Sequence, residues 1–407
     1  MREGQMVEDR VGVGRTGDKK RILLVATTSK TWQKMRNHGF VTTHGLAAVL
    51  RSLGHDVEVL PTCFLESARL GFAPGEFDQV WLSDLIGIYF GSSRYHEIDP
   101  AFWSALLSIA PIRVGYETET LLYGGEVGMN ADEHHESHVN RFLRRVPFLT
   151  HVLANDETVV DLVRRVDPSK HALWVPASVS ERWIPKAPSM WEASEDAVFA
   201  GTVYGKRAPF YRAVRRMLTK VDTADNGFGN EYDAFIETAN RTLASMECNA
   251  SRARKTSAEY GERLDSLLER EFAALLTELR RGGVVVNLPA YTRGLVHRVP
   301  EAIAAGRVVL TNRLEDRPKT MEWLEANPGV FLYDTPAQLK RALSSLIGNP
   351  AFVHQSACDA VVFTRETGSA EVRLADALTW IDRTSRSVES QIRLTSSEWL
   401  LRAGADG

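Results

Sequence analysis

Brief runs of aliphatic and β-branched residues alternate with longer amphipathic stretches along most of this chain, and that alternation limits its fold more than any other feature. The run Arg21-Ile-Leu-Leu-Val-Ala-Thr27 sets the pattern. Similar runs recur at 55–60, 77–84, 111–117, 150–155 and 172–176, then at 196–201, 284–288, 308–311 and 329–333. Apolar residues at consecutive positions mark strands buried on both faces, as parallel strands under two helical layers are. Helical spacing predicts helices near 44–53, 157–165, 209–218, 336–346 and 370–381. The unit spanning 21–60 is about forty residues, the size of a strand–helix–strand crossover. Both halves are therefore expected to be doubly wound α/β.

The segment 184–195 carries two prolines, a serine and polar residues, and reads as a linker that would let two domains hinge. This gives a polar, disordered leader at 1–20, one domain at 21–184, a second at 196–382 and a tail at 383–407. Residues 230–281 are charged and nearly free of Gly and Pro, with Leu264, Leu267, Leu268, Phe272, Leu275, Leu276 and Leu279 at helical spacing. They read as one or two long helices inserted in the second domain.

The 407 residues carry a formal net charge of −3, which favours neither nucleic acid nor an anionic membrane as main partner. Cys63, Cys248 and Cys358 lie far apart and form no zinc motif, which fits a reducing cytoplasm. No apolar run approaches the roughly 18 residues that span a bilayer.

The stretch 284–313 holds the most specific chemistry. Two strand patterns enclose a loop and a short helix, with Pro300 suited to the first helical position and Gly306 to the position just past the end. Arg298 and Glu301 flank the expected helix start. A helix N-terminus offers unpaired N–H groups to phosphate, an arginine adds a forked cation, and a glutamate accepts from a ribose diol.

Three stretches carry a family resemblance: 199–207 (Phe-Ala-Gly-Thr-Val-Tyr-Gly-Lys-Arg), Asn287 through Gly306 with the strand after it, and 331–339 (Phe-Leu-Tyr-Asp-Thr-Pro-Ala-Gln-Leu). In these the chain resembles group-1 glycosyltransferases of the GT-B type, and more narrowly the CgeB-like branch. The resemblance implies two Rossmann-like domains facing each other across a cleft, with a helical insertion in the second. It implies a glycosyltransferase, hexosyltransferase-like, that moves a sugar from a nucleotide-diphosphate sugar to an acceptor hydroxyl, with no cofactor and no obligatory metal. By the same resemblance Glu301 binds the ribose, Arg298, Arg207 and Lys206 hold the diphosphate, and Gly201 and Gly205 bring the backbone close to the donor. His297 belongs to the same donor-binding stretch. Retaining members carry another glutamate eight residues before the ribose glutamate; Arg293 stands there instead, so retention of configuration is not implied.

The acceptor, a small molecule, glycan or protein, needs a general base from the first domain, where strand ends offer His44, Asp84, Glu117 and Glu119, with Glu117 and His44 preferred. His134 and His138 share a helical face, but the flanking Arg141, Arg144 and Arg145 favour a solvated helix over a metal site. The loop around Trp32 reads equally as an acceptor contact or as a wet loop. Two rival functions share the fold: a nucleotide-sugar enzyme such as a 2-epimerase, and an inert binding or scaffold protein.

Overall fold

The computed structural model describes residues 18–28, 31–32, 45–64, 71–83, 107–118, 139–140, 142–191, 196–203, 205–221, 227–246, 249–290, 295 and 297–385. Residues 1–17 of the expected leader, most of the expected tail, His44, Asp84, Glu119, His134, His138 and Arg293 lie outside them.

The first lobe is a six-stranded, wholly parallel sheet. Its strands are β1 (Arg21–Ala26), β2 (Asp56–Pro61), β3 (Gln79–Ser83), β4 (Ile112–Glu117), β5 (His151–Ala154) and β6 (His171–Trp174), in the order β2-β1-β3-β4-β5-β6. Alternation along β1 shows why the run is apolar at every position. Leu23 and Val25 join one core with Val159, Val160 and Val163 of helix α2 (Glu157–Val166). Ile22, Leu24 and Ala26 join the opposite core with Leu46, Ala47 and Leu50 of helix α1 (Gly45–Ser52).

The second lobe repeats the design in a five-stranded parallel sheet. Its strands are β7 (Ala197–Ala200), β8 (Thr219–Val221), β9 (Val284–Val286), β10 (Val308–Asn312) and β11 (Val330–Tyr333), in the order β11-β10-β9-β7-β8. Its helices are α3 (Arg207–Val214), α4 (Phe228–Ala244), α5 (Ala250–Leu279), α6 (Arg298–Ala304), α7 (Pro318–Ala326), α8 (Pro336–Ile347) and α9 (Pro350–Thr367). The sequence reading missed β8, α7 and α9. Strand β8 has three residues, Thr-Lys-Val, too few to show a period. In each sheet the strand order reverses once, between β1 and β3 and between β7 and β9. Ligands of open α/β sheets bind at such reversals, outside the carboxyl ends of the strands. The chain is thus α/β with two Rossmann-like domains.

Two domain expectations need correction. A final helix, α10 (370–385), belongs to the first lobe: Leu374, Ala377, Leu378 and Ile381 fill the core beneath Ile22, Trp81 and Tyr116. Its apolar spacing was legible; the sheet it would cover was not. The linker is no loose hinge either. Through residue 191 it lies on the second lobe, where Arg307 donates to the Ser189 carbonyl at 2.8 Å and stacks on Trp191. Pro185 and Pro188 close over Gly306, whose φ of +70° admits the turn that ends α6.

The insertion helices serve both lobes. Leu264, Leu268, Phe272, Leu276 and Leu279 of α5 sit in the second lobe's core, with Val198, Val285 and Ile303. At its N-terminal half, Gly261 lies flat on β2: a Cβ there would meet the Val59 carbonyl oxygen at 3.3 Å. Earlier on the same helix, Arg254 grips Glu58 at 2.6 Å and Glu76 at 2.7 Å. The helix therefore covers the edge strand β2, which would otherwise offer unpaired backbone groups. Among the described residues, no helix is long and apolar enough to cross a membrane.

Candidate functional site

The carboxyl ends of the two sheets face each other. Trp32, just after β1, donates its backbone N–H to Asp233 of α4 at 2.7 Å. Asp156, just after β5, pairs with Arg317, which precedes α7. Each contact joins a segment that follows a strand of one sheet to a segment that follows a strand of the other.

At the second sheet's reversal point, β7 runs into a glycine-bearing turn and β9 runs into the loop that leads to α6. Gly201 and Gly205 lie in that turn, at φ +154° and +35°. Lys206 stands at the N-cap of α3. The Arg207 guanidinium spans the reversal, donating to the Pro289 carbonyl at 3.1 Å and to the Thr202 carbonyl at 2.9 Å. The resemblance gives Arg207 to the diphosphate. Here its fork ties the two loops together. Behind them, Tyr333 donates to the Asn287 carbonyl at 2.6 Å and Asn287 donates to Thr311 at 2.9 Å. Burial pushes the Tyr333 phenol well above its usual range, so it stays a donor.

Helix α6 starts at Arg298, two residues before the position expected from Pro300, with His297 at the cap. Proline is tolerated there because N–H groups of a first turn have no intrahelical partner. Arg298 and Glu301 are thus one turn apart, and they pair at 2.7 Å. Glu301 is 5% exposed and Arg298 is more open to solvent. A strand–helix crossover leaves the sheet at its carboxyl edge, so β9 and its loop deliver this pair to the side facing the first lobe. The sequence expectation gave the two residues separate ligand contacts; the structure sets them against each other as an ion pair.

Of the first lobe's candidates, Glu117 lies among the described residues. Glu117 ends β4 at the carboxyl edge, where a base was expected, but its side chain is fully buried. The residues the sequence reading missed are Asp156, Glu157 and Arg317. Asp156 was legible as a helix cap, since it precedes α2 and accepts from the Thr158 N–H. Its partner, 161 residues away, was not.

No protein-family model matches this chain, and none of the curated proteins matches it. Similar solved structures do exist. HepE of Anabaena, in complex with UDP-glucose, is 11% identical with a TM-score of 0.49, covering 90% of this chain and 100% of its own. A glycosyltransferase of Rickettsia africae is 10% identical with a TM-score of 0.47, covering 90% and 99%. A point mutant of S. aureus TarM, in complex with UDP, is 10% identical with a TM-score of 0.40, covering 75% and 54%. With scores below 0.5, these likenesses say nothing about what this chain acts on.

Proposed function

We propose that this chain is a glycosyltransferase that takes a sugar from a nucleoside-diphosphate sugar, and that the second lobe holds the donor. The observation that carries the proposal is the Arg298–Glu301 pair at the carboxyl edge, beside loops that Arg207 fixes across the β7/β9 reversal. As the sugar departs, negative charge grows on the diphosphate, and a cation held in place stabilises it without reorganising. Arg298 supplies that cation. A carboxylate has about four acceptor sites, so Glu301 keeps capacity for a ribose diol beyond its contact with Arg298. Backbone turning at Gly201 and Gly205 lets the loop approach the phosphates closely. The general base comes from the first lobe, with Glu117 and His44 as its candidates, and the reaction needs no divalent metal. The finer resemblance to the CgeB-like branch and a cytoplasmic location belong to the same proposal.

Titration calorimetry with UDP-, GDP- and dTDP-sugars tests it. One of these donors is expected to bind, and Glu301→Ala to weaken it by about 1.5–3 kcal/mol through the lost ribose hydrogen bonds. Equal affinity in the variant rejects the ribose assignment. Turnover of the bound donor only when an acceptor is present, and undiminished by EDTA, separates a transferase from an epimerase or an inert binder.

A further inference from the structure

The outer layer of the second lobe carries charge of one sign. Helices α3 and α8 pack against each other on one face of the sheet. Val214 of α3 and Leu339, Leu343 and Leu346 of α8 point into a shared core with Phe199 and Tyr333. Away from that core stand Arg212 on α3, Arg215 and Arg216 in the turn that ends it, and Lys340 and Arg341 on α8, all exposed. Lys220 of β8 is exposed on the same side, because its register partner is Phe199, which packs on Tyr211 of α3. The chain has no Asp or Glu from residue 197 to residue 221, nor from 335 to 358. A net charge of −3 over the whole chain hides this segregation.

Elsewhere on the surface arginines find carboxylates: Arg182 pairs with Glu269, Arg270 with Glu231, Arg281 with Glu278 and Arg313 with Glu325. Among the described residues, none of the six cations on this face makes such a pair. Arg212 and Arg216 stand four residues apart, where like charges oppose a helical turn. The folded chain bears that cost, and an external anionic surface relieves it. The kind of surface follows from the neighbours. The cations spread over two helices and a strand, a broad face and not a cradle for one phosphate. The aromatic rings of α3 turn inward, Phe210 onto Tyr333 and Tyr211 onto Phe199, so this helix offers no ring on which a nucleic-acid base could stack. Met217 and Leu218, half-buried, border Arg215 and Arg216. Basic side chains beside partly exposed apolar ones suit the boundary between phospholipid headgroups and acyl chains.

We propose that Arg212, Arg215, Arg216, Lys220, Lys340 and Arg341 form a face that docks on an anionic phospholipid membrane and holds the chain there peripherally. Helices α3 and α8 follow strands β7 and β11, so both start at the carboxyl edge and run away from it. The docked face therefore stands beside that edge without covering it. The proposal stands whether or not the chain transfers a sugar.

Flotation of the full chain with phosphatidylcholine vesicles, with and without about 30% phosphatidylserine, tests this at low salt. Binding is expected to the anionic vesicles only, and to fall at least about tenfold as salt rises from about 0.05 to about 0.5 M. Each basic residue near such a surface is worth about fivefold in partitioning, so Arg215→Glu with Arg216→Glu should weaken binding at least about 100-fold. Lys340→Gln with Arg341→Gln, which only neutralises, should weaken it about 25-fold. Melting curves accompany both pairs, and either pair alone decides the matter if the other fails to fold. Arg165→Glu with Arg252→Glu makes the same change in net charge at exposed positions on α2 and α5, and should leave binding in place. A chain that ignores anionic vesicles at low salt overturns the proposal. So does an equal loss in the Arg165 and Arg252 pair, which would make the attraction one of net charge and not of this face. If duplex DNA binds through the six residues while vesicles stay free, the face serves nucleic acid and the lipid assignment is wrong.

Discussion

The two sheets have the same kind of strand order and the same reversal, yet their carboxyl edges carry opposite chemistry. Apart from Glu117 and the Asp156–Glu157 pair, the described part of the first lobe's edge is a network of uncharged hydroxyl and amide groups. Thr27 donates through its hydroxyl to the Ser83 carbonyl, Thr28 donates its N–H to the Thr62 hydroxyl, and the Cys63 N–H reaches the Thr28 hydroxyl. Farther along, Tyr116 donates to Asn155, which donates to the Thr118 carbonyl. The second lobe's edge has long charged side chains: Arg207 across the reversal, Arg298 on Glu301, and Arg313 between Glu325 and Asp334. Equal folds do not imply equal sites. A short hydroxyl network holds loops in place; a paired arginine at a strand's carboxyl edge can also trade its partner for a phosphate.

The largest expected effect comes from deleting that trade. Arg298→Ala is expected to lower donor turnover about 10²–10³-fold at saturating donor, the usual loss when one fixed stabiliser of developing charge is removed. The same change strips Glu301 of its partner, so a melting curve must accompany the kinetics. A variant that melts like the parent and turns over normally would erase the contrast between the two edges.

A second effect belongs to the first lobe alone. His151 of β5 stacks on His171, meets the edge of Trp380 and bonds to Thr384 of α10. Burial, with His171 nearby, holds its imidazole down at about 4 from an ordinary 6.5. The folded chain therefore resists a proton that the unfolded chain accepts. This contribution is complete above pH 6.5 and is lost as the pH falls toward 4, roughly 2–3 kcal/mol in all. Denaturant titrations across that window should show the loss, and His151→Gln should flatten it. A parent profile without slope there would mean that α10 is not held on this sheet through a neutral imidazole.

Much of this division was readable in the sequence. Strands such as β1 and β9 are apolar at every position because helices cover both faces, and that signal is local. Arg298, Glu301 and Gly306 were legible because capping and crossover chemistry fall within a few residues of one another. What could not be read depends on distance along the chain. The spacing of Leu374, Leu378 and Ile381 gives a helix but not the lobe it covers. Ser257 and Gly261 mark a narrow face on α5 without naming β2 as its neighbour. Asp156 announces a cap, while its pairing with Arg317 depends on how two independent sheets meet. Pro185 and Pro188 suggested a free linker, since nothing local says that a proline will close over a glycine as distant in the chain as Gly306.

The smallest expected effect tests whether the first edge is only scaffold. The Thr62 hydroxyl accepts from the Thr28 N–H at 2.9 Å and donates to the Thr28 carbonyl at 3.0 Å. Thr28 is buried, so water cannot take over either bond. Thr62→Val keeps the shape and removes both, leaving a buried donor unsatisfied, at a cost of about 1–2 kcal/mol. Chemical denaturation should register that loss while donor affinity stays the same, because every charged group assigned to the donor lies on the other lobe. A variant of unchanged stability whose donor affinity fell about tenfold, or about 1.4 kcal/mol, would reverse the assignment. The hydroxyl network would then face the ligand, and the Arg298–Glu301 pair would be the structural one.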